Sequence, residues 1–430
     1  MEFELDQQVT RPITNEVEVL NGASYRDVVL QPRIKPLLEA ETVGQLLGRL
    51  DSVKQSFETF GAAPAFAFGL AGAKPAGSSP SDVLALKTVV DLTRTRPDHS
   101  AELSSRIARD RYNLEGRWKA SNRLGLGELF QLSAQAQPNP YSLAAGSASV
   151  VSPLPLGRSL FHLKGFFFNE DRKWASHSLA SHGVAADLRV PLASNLVFRG
   201  GAQAIARNVH SISEKAGDVV RAAAGSSSLK VSAIAELSNT GACHSARAFF
   251  EAAGQPGDTQ HLKSVAELAY TLPLTKTRAV VLDVEGRAGY IHSDDEKPKL
   301  CDNFLIGGPE SVLGFKRYSL GPRDAGDFIG GQAFYTARAT LLSRLPFHKV
   351  SPLRLKAQAD AGVLRAHSAA DWRSNVQDLA ASPASASASA GLAYASERAK
   401  FDVLWVVPLR SSPSDILQPG LHVGAELNLV

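Results

Sequence analysis

From about residue 100 to residue 430 the chain alternates apolar and polar residues with a period of two, segment after segment. That period puts successive side chains on opposite faces of a strand and is incompatible with a helical stripe. In LRLKAQADAGV, Leu353, Leu355, Ala357, Ala359, Ala361 and Val363 oppose Arg354, Lys356, Gln358 and Asp360. YNLEGRWKA sets Tyr112, Leu114, Trp118 and Ala120 against Asn113, Glu115, Arg117 and Lys119. Candidate strands centre near residues 105, 116, 132, 148, 164, 186, 202, 233, 249, 268, 284, 338, 358, 391, 405 and 426, sixteen in one run. ASPASASASA, residues 381 to 390, reads equally as linker or strand.

Alternation alone does not say which face is wet. A soluble sandwich turns its apolar face inward, whereas a membrane barrel turns it toward lipid and keeps a polar lumen. Sixteen is even, the segment lengths suit tilted crossings of about 9–11 residues, and closure removes sheet edges. The expected fold is therefore mainly β, a 16-stranded antiparallel transmembrane barrel over residues 98–430. No stretch has the roughly 18–20 apolar residues of a membrane helix. With 44% apolar residues and many positions filled by alanine, serine and glycine, the chain suits strands with one small or polar face.

A formal charge of +4 without a dense Lys/Arg cluster argues against a nucleic-acid groove. Cys243 and Cys301 are too few and too far apart for a disulfide framework or a cysteine metal site. No Walker loop, Rossmann fingerprint or H-E-x-x-H is present, so no motif points to nucleotide, cofactor or metal chemistry. His244 and the charges Asp283, Glu285 and Arg287 read as ordinary polar positions, the latter as part of a wet barrel wall.

Ahead of the alternating region the periodicity differs. Residues 1–12 are expected to form a tail; MEFELDQQVT lacks an apolar h-region and an arginine-rich stretch, so neither a secretory signal nor a transit peptide is expected. Over 13–97 the pattern is strand, helix, helix, strand, strand, a small α+β domain. EVEVL (16–20) alternates; Ser24 with Asp27 resembles a capping box for a helix that Pro32 and Pro36 interrupt. Thr42 can cap a second helix whose Val43, Leu46, Leu47, Leu50, Val53, Phe57 and Phe60 recur at helical spacing. AFAFGL and VLALKTVVDL follow, joined by KPAGSSPSD.

One segment fits neither pattern. FLIGGPESVLGFKRYSLGPRDAGDFIGG, residues 304–331, is too long and glycine-rich for a hairpin, so it is either a disordered insertion or a loop with a specific fold; with the strand count it is expected to re-enter the barrel as part of a loop at 291–330. Its order of motifs, a Gly-Gly, the tetrad Val312-Leu313-Gly314-Phe315, then Lys316-Arg317, Gly321-Pro322, a later Gly-Gly and Leu-Pro-Phe, resembles the outer-membrane β-barrel insertase superfamily that includes the bacterial BAM barrel. It looks most like the mitochondrial branch, the core barrels of the sorting and assembly machinery. The resemblance implies that 13–97 is a single polypeptide-transport-associated (POTRA) domain. It further implies that the family tetrad should carry arginine where this chain has Leu313, and that the usual acidic partner of that arginine is matched by Asp360. A lone buried carboxylate is costly, so Lys316 or Arg317 is expected to pair with Asp360 instead.

The last strand carries His422, Gly424, Leu427 and Leu429 in the polar-x-Gly-x-x-hydrophobic-x-hydrophobic form of barrel sorting signals in this family. The resemblance implies insertion of β-barrel precursors into the mitochondrial outer membrane through a lateral seam. That seam lies between this strand and the first, where Leu103, Ser105 and Ile107 lie, with the POTRA domain in the intermembrane space. Implied partners are β-barrel precursors, peripheral subunits of the complex, a second barrel and the lipid bilayer, with no nucleic acid and no cofactor. The alternatives are a passive outer-membrane channel or porin, a plastid or bacterial type of translocating barrel, and a soluble β-rich binding protein.

Overall fold

The computed structural model describes residues 12–58, 62–70, 84–94, 97–108, 111–137, 142–154, 158–223, 225, 227–293, 299–345, 352–367, 371–396 and 398–429. The expected tail (1–12, apart from Pro12), Phe60 and the KPAGSSPSD connector lie outside them.

Strands β1 (Ile13–Leu20), β2 (Ala62–Leu70) and β3 (Leu84–Arg94) form a sheet in the order β1-β3-β2. β3 runs parallel to β1 and antiparallel to β2. Helices Asp27–Leu38 and Val43–Glu58 cover it, with Leu37, Leu46, Val53, Phe57 and Val90 buried between the layers. Thr42 Oγ1 accepts from Gln45 N at 3.3 Å, capping the second helix. Leu47 falls off the buried stripe and is exposed. The first helix, contrary to the expected interruption, runs through Pro32 and Pro36 and begins at Arg26 without a side-chain cap. Tertiary anchorage holds it. Val29, Leu30, Arg33 and Leu37 are all buried, and Arg33 donates to Val29 O and Ser56 O within the domain and to Leu154 O at 2.7 Å in a barrel turn.

Beyond this layer lie the barrel strands β4 (His99–Ala108), β5 (Arg111–Ser121), β6 (Leu129–Gln137), β7 (Leu143–Pro153), β8 (Leu160–Arg172), β9 (His177–Pro191) and β10 (Leu196–His210). They continue as β11 (Ser227–Thr240), β12 (His244–Gly254), β13 (His261–Pro273) and β14 (Val280–His292). A small hairpin, β15 (Arg323–Asp324) and β16 (Asp327–Phe328), interrupts them. The last five are β17 (Ala333–Arg344), β18 (Leu353–Arg365), β19 (Ser385–Ala395), β20 (Ala399–Arg410) and β21 (Gly420–Leu429). Apart from β15 and β16, these strands close into one barrel, β21 pairing with β4, and all sixteen expected crossings are present. The alanine/serine segment resolves as strand from Ser385 onward.

The faces sort as lipid demands. On β18, Gln358 and Asp360 are buried inside while Leu355 is exposed outside; around the wall Trp118, Phe167, Phe250, Leu268 and Trp405 also face out. Exposed apolar side chains over a buried polar lining are the arrangement of a membrane barrel. No helix among the described residues is long and apolar enough to cross a membrane. The sheet-and-helix layer is docked on barrel turns: Arg26 N donates to Gly125 O at 2.8 Å, and Asn122 Nδ2 to Ser24 O at 2.9 Å.

Candidate functional site: an in-folded loop beside a short seam

The loop between β14 and β17 touches strands on both sides of the barrel, so it must cross the interior. Asp302, 2% exposed, pairs with Arg207 of β10 (2.7 Å) and Lys230 of β11 (3.4 Å), and its carbonyl accepts from Lys263 of β13 at 2.8 Å. Burial opposes ionisation of Asp302, yet the Arg207 and Lys230 cations hold its carboxyl below the usual carboxylate range. Eleven residues on, the chain reaches β18 and β19: Leu313 N donates to Asp360 Oδ2 at 3.3 Å, and Ser387 Oγ donates to Leu313 O. Asp327 accepts from Ser176 Oγ at 2.6 Å and Gly217 N at 2.8 Å, and the Tyr318 ring packs at a tilt against Trp174, closing the far side.

The tetrad is the buried pivot. Val312 and Phe315 join Ile291, Phe304, Ile306, Leu320, Phe334 and Leu364 in one apolar cluster. Gly314 has φ of +89°, and a Cβ there would lie 3.0 Å from Val406 Cγ1, so the position needs glycine on both counts. Leu313 packs on Leu404 and Val406, two apolar side chains of β20 that point inward. That packing supplies a physical reason for leucine where the family pattern has arginine.

Asp360 is not served by Lys316 or Arg317, and the expectation that one of them pairs with it is corrected here. Its cation is Arg338, whose Nε lies 2.6 Å from Oδ1. The reason is register: Arg338 sits directly across from Asp360 in the β17–β18 ladder, so no loop residue is required. Gln358 Nε2 donates to Asp360 Oδ2 at 2.7 Å, and Arg338 also donates to Pro309 O and Ser311 O, tying the loop to the wall. Arg317 pairs with Glu310 (2.9 Å) and lies over the Tyr318 ring, while Lys316 N donates to Ile416 O. Gly321, φ +98°, packs against Leu364 beside Pro322.

The seam lies next to this pivot. β21 and β4 pair over five residues, Ala425–Leu429 against Leu103–Ile107, whereas other neighbouring barrel strands share eight to fourteen described pairs. Leu427 faces Ser105 and Leu429 faces Leu103 in the register; Ile107 faces Ala425. His422 and Gly424 lie on β21 just ahead of the five described seam pairs, opposite Leu404 and Asp402 of β20. Arg106 and Glu426, unanticipated from sequence, face each other across the seam with an ion pair of 3.4 Å. A cavity of about 480 Å³ opens on the lumen side, lined by Arg106, Leu313, Lys356, Asp402, His422 and Glu426 among others.

Arg338, Ser387 and the Asp302 cluster were also missed in the sequence. The signal for Arg338 was present in TARAT, where it is the one charge on the polar face opposite QAD; finding it needed the register of two strands.

The model of the Omp85 superfamily domain matches residues 122–425. A SAM50-like protein of Schizosaccharomyces pombe is 33% identical over 177 residues, 41% of this chain and 37% of that protein. The sorting assembly machinery 50 kDa subunit of Saccharomyces cerevisiae is 29% identical over 174 residues, 39% of this chain and 36% of that protein. The sorting and assembly machinery component 50 homolog of Mus musculus is 29% identical over 248 residues, 53% of this chain and 50% of that protein. The matches thus span between 36% and 50% of the length of these relatives. BamA from Haemophilus ducreyi lacking POTRA domains 1–3 shares the fold, with a TM-score of 0.77 at 15% identity over 97% of this chain and 85% of that one. With the family domain covering more than two thirds of the chain and the strands closing into a sixteen-stranded barrel, the chain belongs to the Omp85 superfamily.

Proposed function

We propose that this protein inserts and assembles β-barrel precursors in the mitochondrial outer membrane through the seam between β4 and β21. The observation that carries the reading is the five-pair seam, the shortest described ladder in the barrel. Backbone groups released there would be unsatisfied in lipid, and an incoming strand can satisfy them by β-augmentation. Hairpins would then be added at that edge until the new barrel closes and departs, driven by hydrogen-bond exchange and lipid burial rather than by nucleotide.

Relatives named for sorting and assembly machinery support this assignment. The layer over 13–94, with its β1-β3-β2 sheet under two helices, is proposed as a single POTRA domain in the intermembrane space. Precursor barrels, peripheral subunits, a second barrel and lipid are its proposed partners. A passive channel is the weaker reading, because the in-folded loop occupies the lumen from β10 to β19.

The test is a closed seam. Ser105 and Leu427 are register partners, so the pair Ser105→Cys and Leu427→Cys places a disulfide across it. Oxidation should stop new barrels accumulating while leaving this chain in the membrane, and reduction should restore assembly. Undiminished assembly with the seam fully cross-linked would refute the proposal.

A further inference from the structure

The connection from β20 to β21, residues 411–419, is laid along the in-folded loop. Lys316 N donates to Ile416 O at 2.9 Å and Gln418 N donates to Gly314 O at 2.8 Å, flanking the antiparallel bridge between Phe315 and Leu417. Ser319 Oγ lies 3.2 Å from Ile416 O, and Arg323 Nη1 donates to Ser414 O at 3.2 Å. The Ile416 side chain packs with Trp174 and Phe328 on the opposite side of the loop. Asp415 is held as well, accepting from Ser385 Oγ of β19 at 2.5 Å.

The loop itself is fixed to β18 and β19 through Leu313. β21 is therefore fastened twice, at its leading end by this bridge and along its length by eight pairs with β20. The strand across the seam has a different arrangement. β4 is held by ten pairs with β5, and among the described residues no hydrogen bond joins it to the loop.

We propose that the bridge between Gly314–Lys316 and Ile416–Gln418 is a latch that makes β21 the stationary edge of the seam, so that the seam opens by departure of β4. The loop motif then acts on the seam through backbone contacts to the lead-in of the last strand. This coupling does not depend on what, if anything, enters the seam.

The experiment is backbone amide exchange, read by mass spectrometry on the purified full chain in lipid nanodiscs with no precursor present. Gln418→Pro removes the donor to Gly314 O, and Ser319→Ala removes a hydroxyl that donates to Lys316 O at 2.6 Å and lies 3.2 Å from Ile416 O, leaving the donors and acceptors of the backbone bridge in place. One lost hydrogen bond corresponds to a factor of roughly 2–10 in a local opening equilibrium. In Gln418→Pro the amides of 420–424, ahead of the seam ladder, should exchange about tenfold faster, and in Ser319→Ala about twofold faster, with those of 99–101 at the start of β4 unchanged in both. Equal acceleration of the two strands, or an unchanged β21 in Gln418→Pro, would overturn the latch. Neither result bears on whether precursors use the seam.

Discussion

Arg338 Nε and Asp360 Oδ1 lie 2.6 Å apart as register partners on β17 and β18, and the same two side chains hold the loop, through Ser311 O and Leu313 N. Their pairing therefore joins the wall to the tetrad. Removing one partner strands a buried charge, so Arg338→Ala should cost about 3 kcal/mol of unfolding free energy, the lower end for a broken buried pair. Arg338→Ala with Asp360→Ala together should cost less than the sum of the singles, measured by urea unfolding in detergent.

Leu313→Arg should not be a neutral return to the family pattern. The new guanidinium would sit on Leu404 and Val406 and compete with Arg338 for one carboxylate. We expect about 2 kcal/mol of destabilisation in the native background, from a buried, incompletely paired cation. In an Arg338→Ala background the same change should recover part of the lost stability, because Asp360 regains a cation; failure to recover would mean Leu313 cannot reach it.

Gly314→Ala tests the pivot directly. The positive φ and the 3.0 Å approach to Val406 both penalise a Cβ. The expected cost is about 1–3 kcal/mol, read as a lower melting temperature and faster proteolysis within the loop.

The Arg106–Glu426 pair should matter little by itself. Its members are 58% and 29% exposed, so screening by water and salt limits it to about 0–1 kcal/mol. Arg106→Ala should change the rate of Ser105→Cys/Leu427→Cys cross-linking by no more than about fivefold, and high salt should change it no more. A much larger effect would show that side chains rather than the short ladder set the strength of the seam.

Acid should loosen the far anchor of the loop. Because the Asp302 carboxyl is held below its usual range, its contribution is fully present above the ordinary Asp value of about 4 and is lost as pH falls through the lower folded value. Amide exchange across 299–304 should be flat from pH 7 to 5 apart from the intrinsic exchange rate and accelerate only below about pH 4. Asp302→Asn should abolish that transition.

The barrel was readable because a period of two survives any tertiary context that buries one face: Leu355 with Gln358, or Trp118 with Lys119, declare their sides without knowledge of neighbours. The helix Val43–Glu58 was readable for the same reason at a different period. Proline 32 and 36 misled, because local propensity counts for less than burial of Leu37 and Arg33. The partner of Asp360 was illegible, since it depends on which residue of β17 stands opposite, a quantity that sequence spacing leaves free.

Sixteen antiparallel strands are an even number, so the polypeptide returns to the rim from which it set out. His99 and Leu429 therefore share one side of the bilayer, together with the sheet-and-helix layer docked at Gly125. The loop that fills the lumen starts and finishes at the other rim, at His292 and Ala333. The sheet-and-helix layer thus contacts the barrel at one rim through the turn after β5, and the loop reaches β21 from the other rim through its lead-in at Ile416–Gln418.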